Sequence, residues 1–360
     1  MNKKTNNKTI MFITGSLGAG GLERIVSNVS NHYAKKGWNV IILLLLAPDV
    51  FYKIDDRIKI ISMSNKKVNG RFINVIPWIH FIRKNINTYN PSHIVTMTFK
   101  MGSLTRIACR NKNTRIIVRE INDPSVRSKL MNKITDHYVG KCDGIIFQTE
   151  WEKQCHSKKC QKIGKIIVNP VLIPEKASEI KNNVIVTTGR LDLKQKSYDE
   201  LIEAFSIVQK KYPDFTLELY GDGPDADTLK EMVKRLNLEK FVIFKGMQKN
   251  VHSKIASASM FVLSTKYEGL SNSLLEAFLM GIPCISSNWN GADEIIDNMK
   301  NGLLYDKGNY KQLAECIIYY IENYDIALQF ANNAMNNIEK YDINNVIKQW
   351  ESLIENPNYK

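Results

Sequence analysis

Glu268 and Glu276 stand with seven residues between them in the stretch Thr265 to Ala277. The apolar run Met260, Phe261, Val262, Leu263 ahead of them reads as a buried strand. Ser271, Asn272 and Ser273, followed by Leu274, Leu275, Ala277 and Phe278, read as a helix start. Glu268 is thereby predicted in the loop at a helix mouth and Glu276 about two turns into the helix. Free N–H groups at such a start, with Gly269 permitting close backbone approach, suit a phosphate. A carboxylate in the loop can accept hydrogen bonds from sugar hydroxyls. A second carboxylate on the helix can grip a vicinal diol such as a ribose. The competing account, a solvated Glu268 and a Glu276 on the helix surface, is the ordinary one for an arbitrary pair at this spacing; the leading strand, Gly269 and the rest of the chain weigh against it here.

Four further pieces fall at the ends of predicted strands, where open α/β sheets bind ligands. Gly189-Arg190 follows Val184–Thr188, with Lys194 and Lys196 just beyond. An arginine there can clamp a pyrophosphate bidentately, and a lysine supplies a point charge. Gly221-Asp222-Gly223-Pro224 follows Leu217–Tyr220, Gly246 follows 241–244, and Gly291-Ala292-Asp293-Glu294 follows Ile285–Ser287. Each alone is a weak signal; the set, in this order, is a strong one. Asp225-Ala226-Asp227 fits an acidic metal-binding pattern, but its place at a helix start reads more simply as a helix cap.

The elements that must position these residues alternate. Thr9–Thr14 is a first strand, followed by the turn Gly15 to Gly21 and a helix to about Lys36. Strand, glycine-rich turn and helix make a nucleotide-type opening, although the spacing is not that of a dinucleotide fingerprint. Strand-like runs follow at 39–46, 58–62, 93–98, 115–118, 144–148 and 165–168, with helical patterns between. The loop Arg119 to Pro124 closes one of them, so Arg119 and Glu120 are site candidates, with a local ion pair as the other reading. After a turn-rich stretch at 170–176 the alternation resumes at 184–188, 215–220, 241–244, 260–263, 283–286 and 303–305. The segments 309–338 and 343–355 read as helical.

At 360 residues the chain is too long for one compact core, so two domains are expected. No apolar run reaches a membrane span. The polar start Met1–Lys8 lacks a signal-peptide core, and six cysteines without metal-ligand spacing read as reduced cytosolic thiols. Residues 1–170 carry 29 Lys and Arg against 10 Asp and Glu, a surplus of +19, whereas 171–360 sum to −5. The basic half points to an acidic partner: nucleic acid, an anionic membrane face or a pyrophosphate-bearing substrate. Residues 71–84, beside Lys66 and Lys67, read either as an interfacial membrane helix or as a packed helix kinked at Pro77; 127–141 is a second basic candidate.

The chain resembles GT-B-fold retaining glycosyltransferases of family 4, the glycosyl transferases group 1, of the bacterial surface-polysaccharide type. The resemblance rests on the Gly20-Gly21 turn with Glu23-Arg24, Gly189-Arg190-Leu191, Gly221 to Pro224, the Glu268/Glu276 pair, Gly281-Ile282-Pro283 and Asn301-Gly302-Leu303. It implies two doubly wound Rossmann-like α/β domains facing a central cleft. The expected bounds are 1–172 for an acceptor-binding domain and 173–338 for a nucleotide-sugar domain, with 339–360 a helix packing back on the first. It implies that Arg190 and Lys196 hold the diphosphate, that Glu276 binds the ribose, and that Glu268 with the amides of Gly269 and Leu270 holds the donor sugar. Arg190, Lys196 and Glu268 are the catalytic candidates. Gly20, Gly21, Gly189, Lys194, Gly221, Gly246, Met247 and Ser271 complete the expected donor site, and Gly18, Arg119 and Glu120 are acceptor-side candidates.

This sequence departs from the family pattern in carrying Ser197 after Lys196, Ser271 where many relatives have proline, and Arg119-Glu120 in place of a first-domain histidine. The implied reaction moves a hexose or N-acetylhexosamine, with retention, from a UDP-sugar to a lipid-pyrophosphate-linked saccharide, without a metal or other cofactor. The implied location is the cytoplasm, peripheral to the inner membrane face. A soluble acceptor, a sugar-nucleotide epimerase and a non-catalytic basic scaffold docking on membrane or nucleic acid are the alternatives; no nucleic-acid partner is expected of the enzyme.

Overall fold

A computed structural model describes residues 8–18, 20–64, 75–121, 123–171, 181–248, 251–336 and 338–356. The described parts of Met1–Pro170 and Val346–Lys360 form one compact unit, and those of Val171–Asn345 form another.

In the first unit seven strands pair in parallel: β1 (Thr9–Thr14), β2 (Asn39–Leu44), β3 (Lys59–Ser62), β4 (His93–Thr96), β5 (Arg115–Arg119), β6 (Gly144–Phe147) and β7 (Gly164–Ile166). Their spatial order is β3-β2-β1-β4-β5-β6-β7. The strands are near-continuous apolar runs because both sheet faces are covered. Ile10, Phe12, Val40 and Ile42 point into one core, and Met11, Ile13, Ile41 and Leu43 into the other. The first core is closed by the C-terminal helix Ile343–Glu355. Its Val346, Trp350, Leu353 and Ile354 recur at helical spacing and are all buried. Glu351 of that helix receives Lys36 at 2.7 Å and lies 2.9 Å from His32, fastening it to the first long helix.

The helix Val75–Tyr89 buries Trp78, Ile82 and Ile86 in the second core, leaving Ile76 exposed. Residues 75–84 of the candidate stretch 71–84 thus lie in a helix whose apolar side packs into the core. Residues 71–74, like Lys66, Lys67 and the stretch 172–176, lie outside the described residues.

The second unit repeats the plan with six parallel strands: β8 (Lys181–Thr188), β9 (Thr216–Tyr220), β10 (Val242–Gly246), β11 (Ala258–Leu263), β12 (Cys284–Ser287) and β13 (Leu303–Tyr305). The order is β10-β9-β8-β11-β12-β13. The chain starts at the centre of each sheet, builds outward to one side, then crosses back and builds to the other. The strand order therefore reverses between β1 and β4, and between β8 and β11. Loops leaving the carboxyl ends of two such strands diverge and leave a crevice between them. The second reversal gathers the glycines, Arg190 and Glu268 at one sheet end.

Candidate functional site

The loop leaving β8 and the loop leaving β11 are sewn together at this reversal. Ser197 N donates to Ser264 O at 3.1 Å, and Ser264 Oγ donates back to Ser197 O at 2.6 Å. Lys266 N donates to Gln195 O at 2.8 Å, and Thr265 Oγ1 reaches the same carbonyl at 3.1 Å. Ser287, at the end of β12, receives Thr265 N on its Oγ at 3.0 Å and donates to Thr265 O at 2.7 Å. These bonds leave neither loop free to swing, so whatever they carry is preorganised.

They carry Lys196 and Glu268, paired as ammonium and carboxylate and each mostly shielded from solvent. Thr265 Oγ1, whose one proton can go to either the Gln195 carbonyl or this carboxylate, lies 3.2 Å from Glu268 Oε1, and Gln195 Nε2 donates to Tyr267 O at 3.3 Å. The Lys196 side chain runs past Gly189; a β-carbon at Gly189 would sit 3.4 Å from Lys196 Cε and 2.9 Å from the Tyr198 hydroxyl. Lys196 thus lies with Gly189 and Glu268, while Lys194 is exposed on the outside of the loop. Arg190 follows Gly189 with its side chain 73 % exposed and Nε 3.9 Å from Asp192 Oδ2. It stands at the same strand end but is not joined to the Lys196–Glu268 pair.

The backbone of the β9 loop is pressed against that of the β8 loop. Leu191 N donates to Asp222 O at 3.1 Å, Asp225 N to Leu191 O at 3.0 Å, and Gly221 N to Gly246 O at 2.9 Å. A β-carbon at Gly221 would overlap the Gly189 carbonyl, and one at Gly223 would overlap the backbone of Leu191. Asp225 holds the N-cap position of the helix Ala226–Arg235 but makes no side-chain cap bond. Its Oδ2 instead accepts from Leu193 N at 2.6 Å, bracing the loop that carries Lys196. The expected side-chain cap is corrected to a loop brace: Asp225 stands at the N-cap position, but its carboxylate is engaged by the Leu193 N–H of the neighbouring loop. Asp227 is exposed and paired with Lys230 at 3.0 Å.

Glu276 is buried in the helix Asn272–Leu279, one turn from its start rather than the two expected. Residues 269–271 are not helical, and Ser271 caps the helix by accepting from Leu274 N at 3.4 Å. Glu276 Oε2 lies 3.1 Å from His252 Nε2. Met247 is exposed just past Gly246, whose φ of 64° is left-handed. The sequence carries no signal that marks Gln195, Thr265 or His252. Gln195 and Thr265 lie inside the candidate loops but nothing in their types distinguishes them, and the His252 contact joins the separate helices Val251–Ala256 and Asn272–Leu279.

In the first unit the glycine-rich turn is closed over by its own glutamate. Ser16 Oγ donates to Glu23 Oε1 at 3.3 Å, and the carboxylate lies where a β-carbon of Gly20 would be. Burial raises the Glu23 pKa, opposed by a bond from its own N–H. The start of the helix Gly21–Lys35 therefore faces a carboxylate, not the open set of amides expected at Gly20 and Gly21. Gly18 accepts Gly20 N on its carbonyl at 3.1 Å, within that turn.

Arg119 and Glu120 are fully buried, so the acceptor contacts expected of them are corrected to internal bracing. Arg119 stacks on Trp350 and donates to Gln148 Oε1 at 3.3 Å and to Asn169. Glu120 pairs with Arg127 and lies 3.7 Å from His156 Nε2, whose Nδ1 is 2.7 Å from Asp136. Glu120 is compensated by Arg127, and the opposite charge near Arg119 is the Glu152 carboxylate; desolvated charges are costly without such partners.

Burial, then the nearby Glu120, pushes the Glu152 carboxyl from its ordinary 4.5 up to about 8. An acid with a raised native pKa binds more protons folded than unfolded, so stability falls as pH rises through the window from about 4.5 to about 8. Glu152→Gln, which keeps the acceptor for Gln148 N, is expected to melt with wild type at pH 5 and progressively above it toward pH 9. Parallel melting curves for the two proteins across that range would contradict the assignment.

Two doubly wound parallel sheets, the second with a lysine–carboxylate pair and closely packed glycine backbone at its switch point, define an α/β protein whose candidate ligand site lies at that crevice. Residues 171–337 match the family model described as glycosyl transferases group 1. The chain is 27 % identical over 354 residues to an uncharacterised glycosyltransferase of Haemophilus influenzae, covering 96 % of this chain and 100 % of that one. It is 23 % identical, over 96 % of this chain and 98 % of the other, to the Campylobacter jejuni GalNAc-alpha-(1->4)-GalNAc-alpha-(1->3)-diNAcBac-PP-undecaprenol alpha-1,4-N-acetyl-D-galactosaminyltransferase. The crystal structure of Anabaena HepE in complex with UDP superposes with a TM-score of 0.78 at 19 % identity, covering 96 % of this chain and 98 % of that one. The fold is GT-B, and the chain is a glycosyltransferase.

Proposed function

We propose that this enzyme transfers a hexose or N-acetylhexosamine from a UDP-sugar, with retention, to a lipid-pyrophosphate-linked saccharide at the inner face of the cell membrane. The observation that carries the donor half is the Lys196–Glu268 pair held between the β8 and β11 loops. A cation and a carboxylate a few ångströms apart at a switch point suit a donor with both an anionic leaving group and a hydroxylated sugar. HepE, which shares the fold, was crystallised with UDP. The acceptor half draws on the Campylobacter relative, named for an undecaprenyl-diphosphate-linked glycan, and on the basic first unit.

In this reading the bond from the anomeric carbon to the diphosphate oxygen breaks with its electron pair leaving on UDP, the sugar passes through an oxocarbenium-like state, and the acceptor hydroxyl oxygen bonds to the anomeric carbon on the same face as its proton passes to the departing diphosphate oxygen. Arg190 and Lys196 meet the charge that grows on the diphosphate. The loop bonds fix where Lys196 projects from, so meeting that charge takes movement of side chains and not of backbone. Glu268 and the amides of Gly269 and Leu270 orient the sugar, and Glu276 accepts from the ribose hydroxyls. Gly246 and Met247 flank the base. Binding would draw Lys196 partly away from Glu268 toward phosphate, freeing the carboxylate for sugar hydroxyls.

UDP present at about a hundred times its Kd is expected to stabilise the fold by about 2.7 kcal/mol, raising Tm by roughly 5–11 °C, and to do so in EDTA. Differential scanning fluorimetry with UDP, GDP and ADP reads this directly. A Tm unmoved by millimolar UDP would remove the donor assignment. A panel of UDP-sugars, scored for transfer to a lipid-linked saccharide, then identifies the sugar.

A further inference from the structure

The helix Lys129–Val139 is amphipathic in an unusual sense. Ser128 caps it, and Thr135, Asp136 and Val139 are buried against the unit. Its outward side carries large apolar side chains with no cover: Leu130 is 68 % exposed, Met131 47 % and Ile134 46 %, and Val126 just before the helix is 51 % exposed. Residues 130, 134 and 137 lie one above another on that side, because positions four and seven apart share a helix face. Lys129 and Lys133 flank this ridge.

Beside the ridge runs a groove of about 650 Å³, lined by Lys129 and Lys133 and by Lys158 and Lys159 at the start of the helix Lys158–Ile163. All four lysines are exposed. The acidic residue lining the groove, Asp136, is already engaged by His156 Nδ1 at 2.7 Å and by Ser157 N at 2.6 Å. The groove therefore presents uncompensated positive charge next to exposed hydrocarbon.

We infer that this face, the ridge Leu130–Met131–Ile134 with the four-lysine groove, docks the enzyme on an anionic phospholipid bilayer. The inference rests, for its purpose, on the reading that the acceptor is lipid-linked. Charge complementarity and the ridge together select the occupant. Phosphate chemistry alone, as in a nucleic acid, explains the lysines but leaves a ridge of aliphatic side chains against solvent. An apolar protein partner explains the ridge but not four lysines converging on one groove. The headgroup region of an anionic leaflet offers both: phosphates for the lysines and, a few ångströms deeper, acyl chains for Leu130 and Ile134. Among the described residues no helix is long and apolar enough to cross a membrane, so a surface attachment of this kind is the form docking would take. The face lies on the helix 129–139, not on Val75–Tyr89, whose apolar residues Trp78, Ile82 and Ile86 are buried in the core.

The test is co-sedimentation of the full chain with phosphatidylcholine vesicles, with and without phosphatidylglycerol, at low and high salt. Wild type is expected to bind only the anionic vesicles and to release as salt is raised. Leu130→Ser with Ile134→Ser, and separately Lys129→Glu with Lys133→Glu, are each expected to weaken that binding at least about tenfold. Melting temperature and the UDP-induced shift, measured on the same samples, should match wild type in both variants. That second readout separates the two claims: a lost UDP shift in wild type defeats the donor reading and leaves docking standing. Equal binding of wild type to neutral and anionic vesicles, or undiminished binding by both variants, would overturn the inference. Self-association in wild type that the serine variant abolishes, without vesicle binding, would assign the ridge to a second copy of the chain instead.

Discussion

Arg190→Ala is expected to lower kcat by about 10²–10³-fold, the usual loss when one group that stabilises developing charge is removed. The same change should leave Tm within about 1–2 °C of wild type, since substitutions at exposed positions away from packed features alter stability by roughly 0.5 kcal/mol or less. The structure makes the two effects separable. The Arg190 side chain is 73 % exposed, and its ion partner is Asp192 at 3.9 Å, a contact that contributes little in water. Arg190→Lys should recover only part of the rate, because a lysine offers a point charge where a guanidinium offers two parallel donors. Steady-state kinetics with the preferred UDP-sugar, alongside a melting curve, decide the matter. A variant with near-normal turnover would take Arg190 out of the mechanism. Lys196 is a poorer first target, because its removal also strands the shielded Glu268 carboxylate.

Gly221→Ala should destabilise the second unit by about 3 kcal/mol or more, for two additive reasons of backbone strain and steric overlap. Its φ of 144° is one that residues with a β-carbon avoid, and the added carbon would overlap the Gly189 carbonyl. The obstacle is backbone, not the end of a flexible side chain, so the β8 and β9 loops would have to part. That movement displaces the turn from which Arg190 and Lys196 project. A fall of roughly 6–12 °C in Tm is expected, with weakened UDP binding in the fraction that remains folded. Gly246→Ala is the matched control. Gly246 is also left-handed, at φ 64°, but a β-carbon there meets nothing within 4 Å. Only the conformational cost of about 1 kcal/mol should remain. Similar losses for the two variants would show that overlap with Gly189 is not what makes Gly221 necessary.

Much of the architecture was legible without coordinates. Parallel strands covered on both faces appear as short unbroken runs such as Val40–Leu44 and Phe261–Leu263, and their alternation with helical periodicity implies a doubly wound sheet. Glycine-bearing turns after such runs mark strand ends, so Gly189, Gly221 and Gly246 could be assigned to one end of a sheet. Strand bounds shifted by a few residues, as where β8 begins at Lys181 and not at 184. Pairing extends a strand beyond its apolar core, and no local preference reports it.

The amino-acid order by itself determined the succession of strands and helices, the glycines that let backbones meet, and the charge contrast between the two halves. The tertiary structure alone decided which charges face solvent and which face one another. It turned Lys196 toward Glu268 and left Lys194 outside, sealed Arg119 and Glu120 inside the first unit, and set Asp225 to brace a neighbouring loop. It also buried the apolar side of Val75–Tyr89 while leaving Leu130 and Ile134 uncovered. The reason is one of range. Backbone preference and periodicity act over a few neighbours and are written in the local sequence. The environment of a charge is set by groups tens to hundreds of residues away, and only the folded chain brings those groups within a few ångströms.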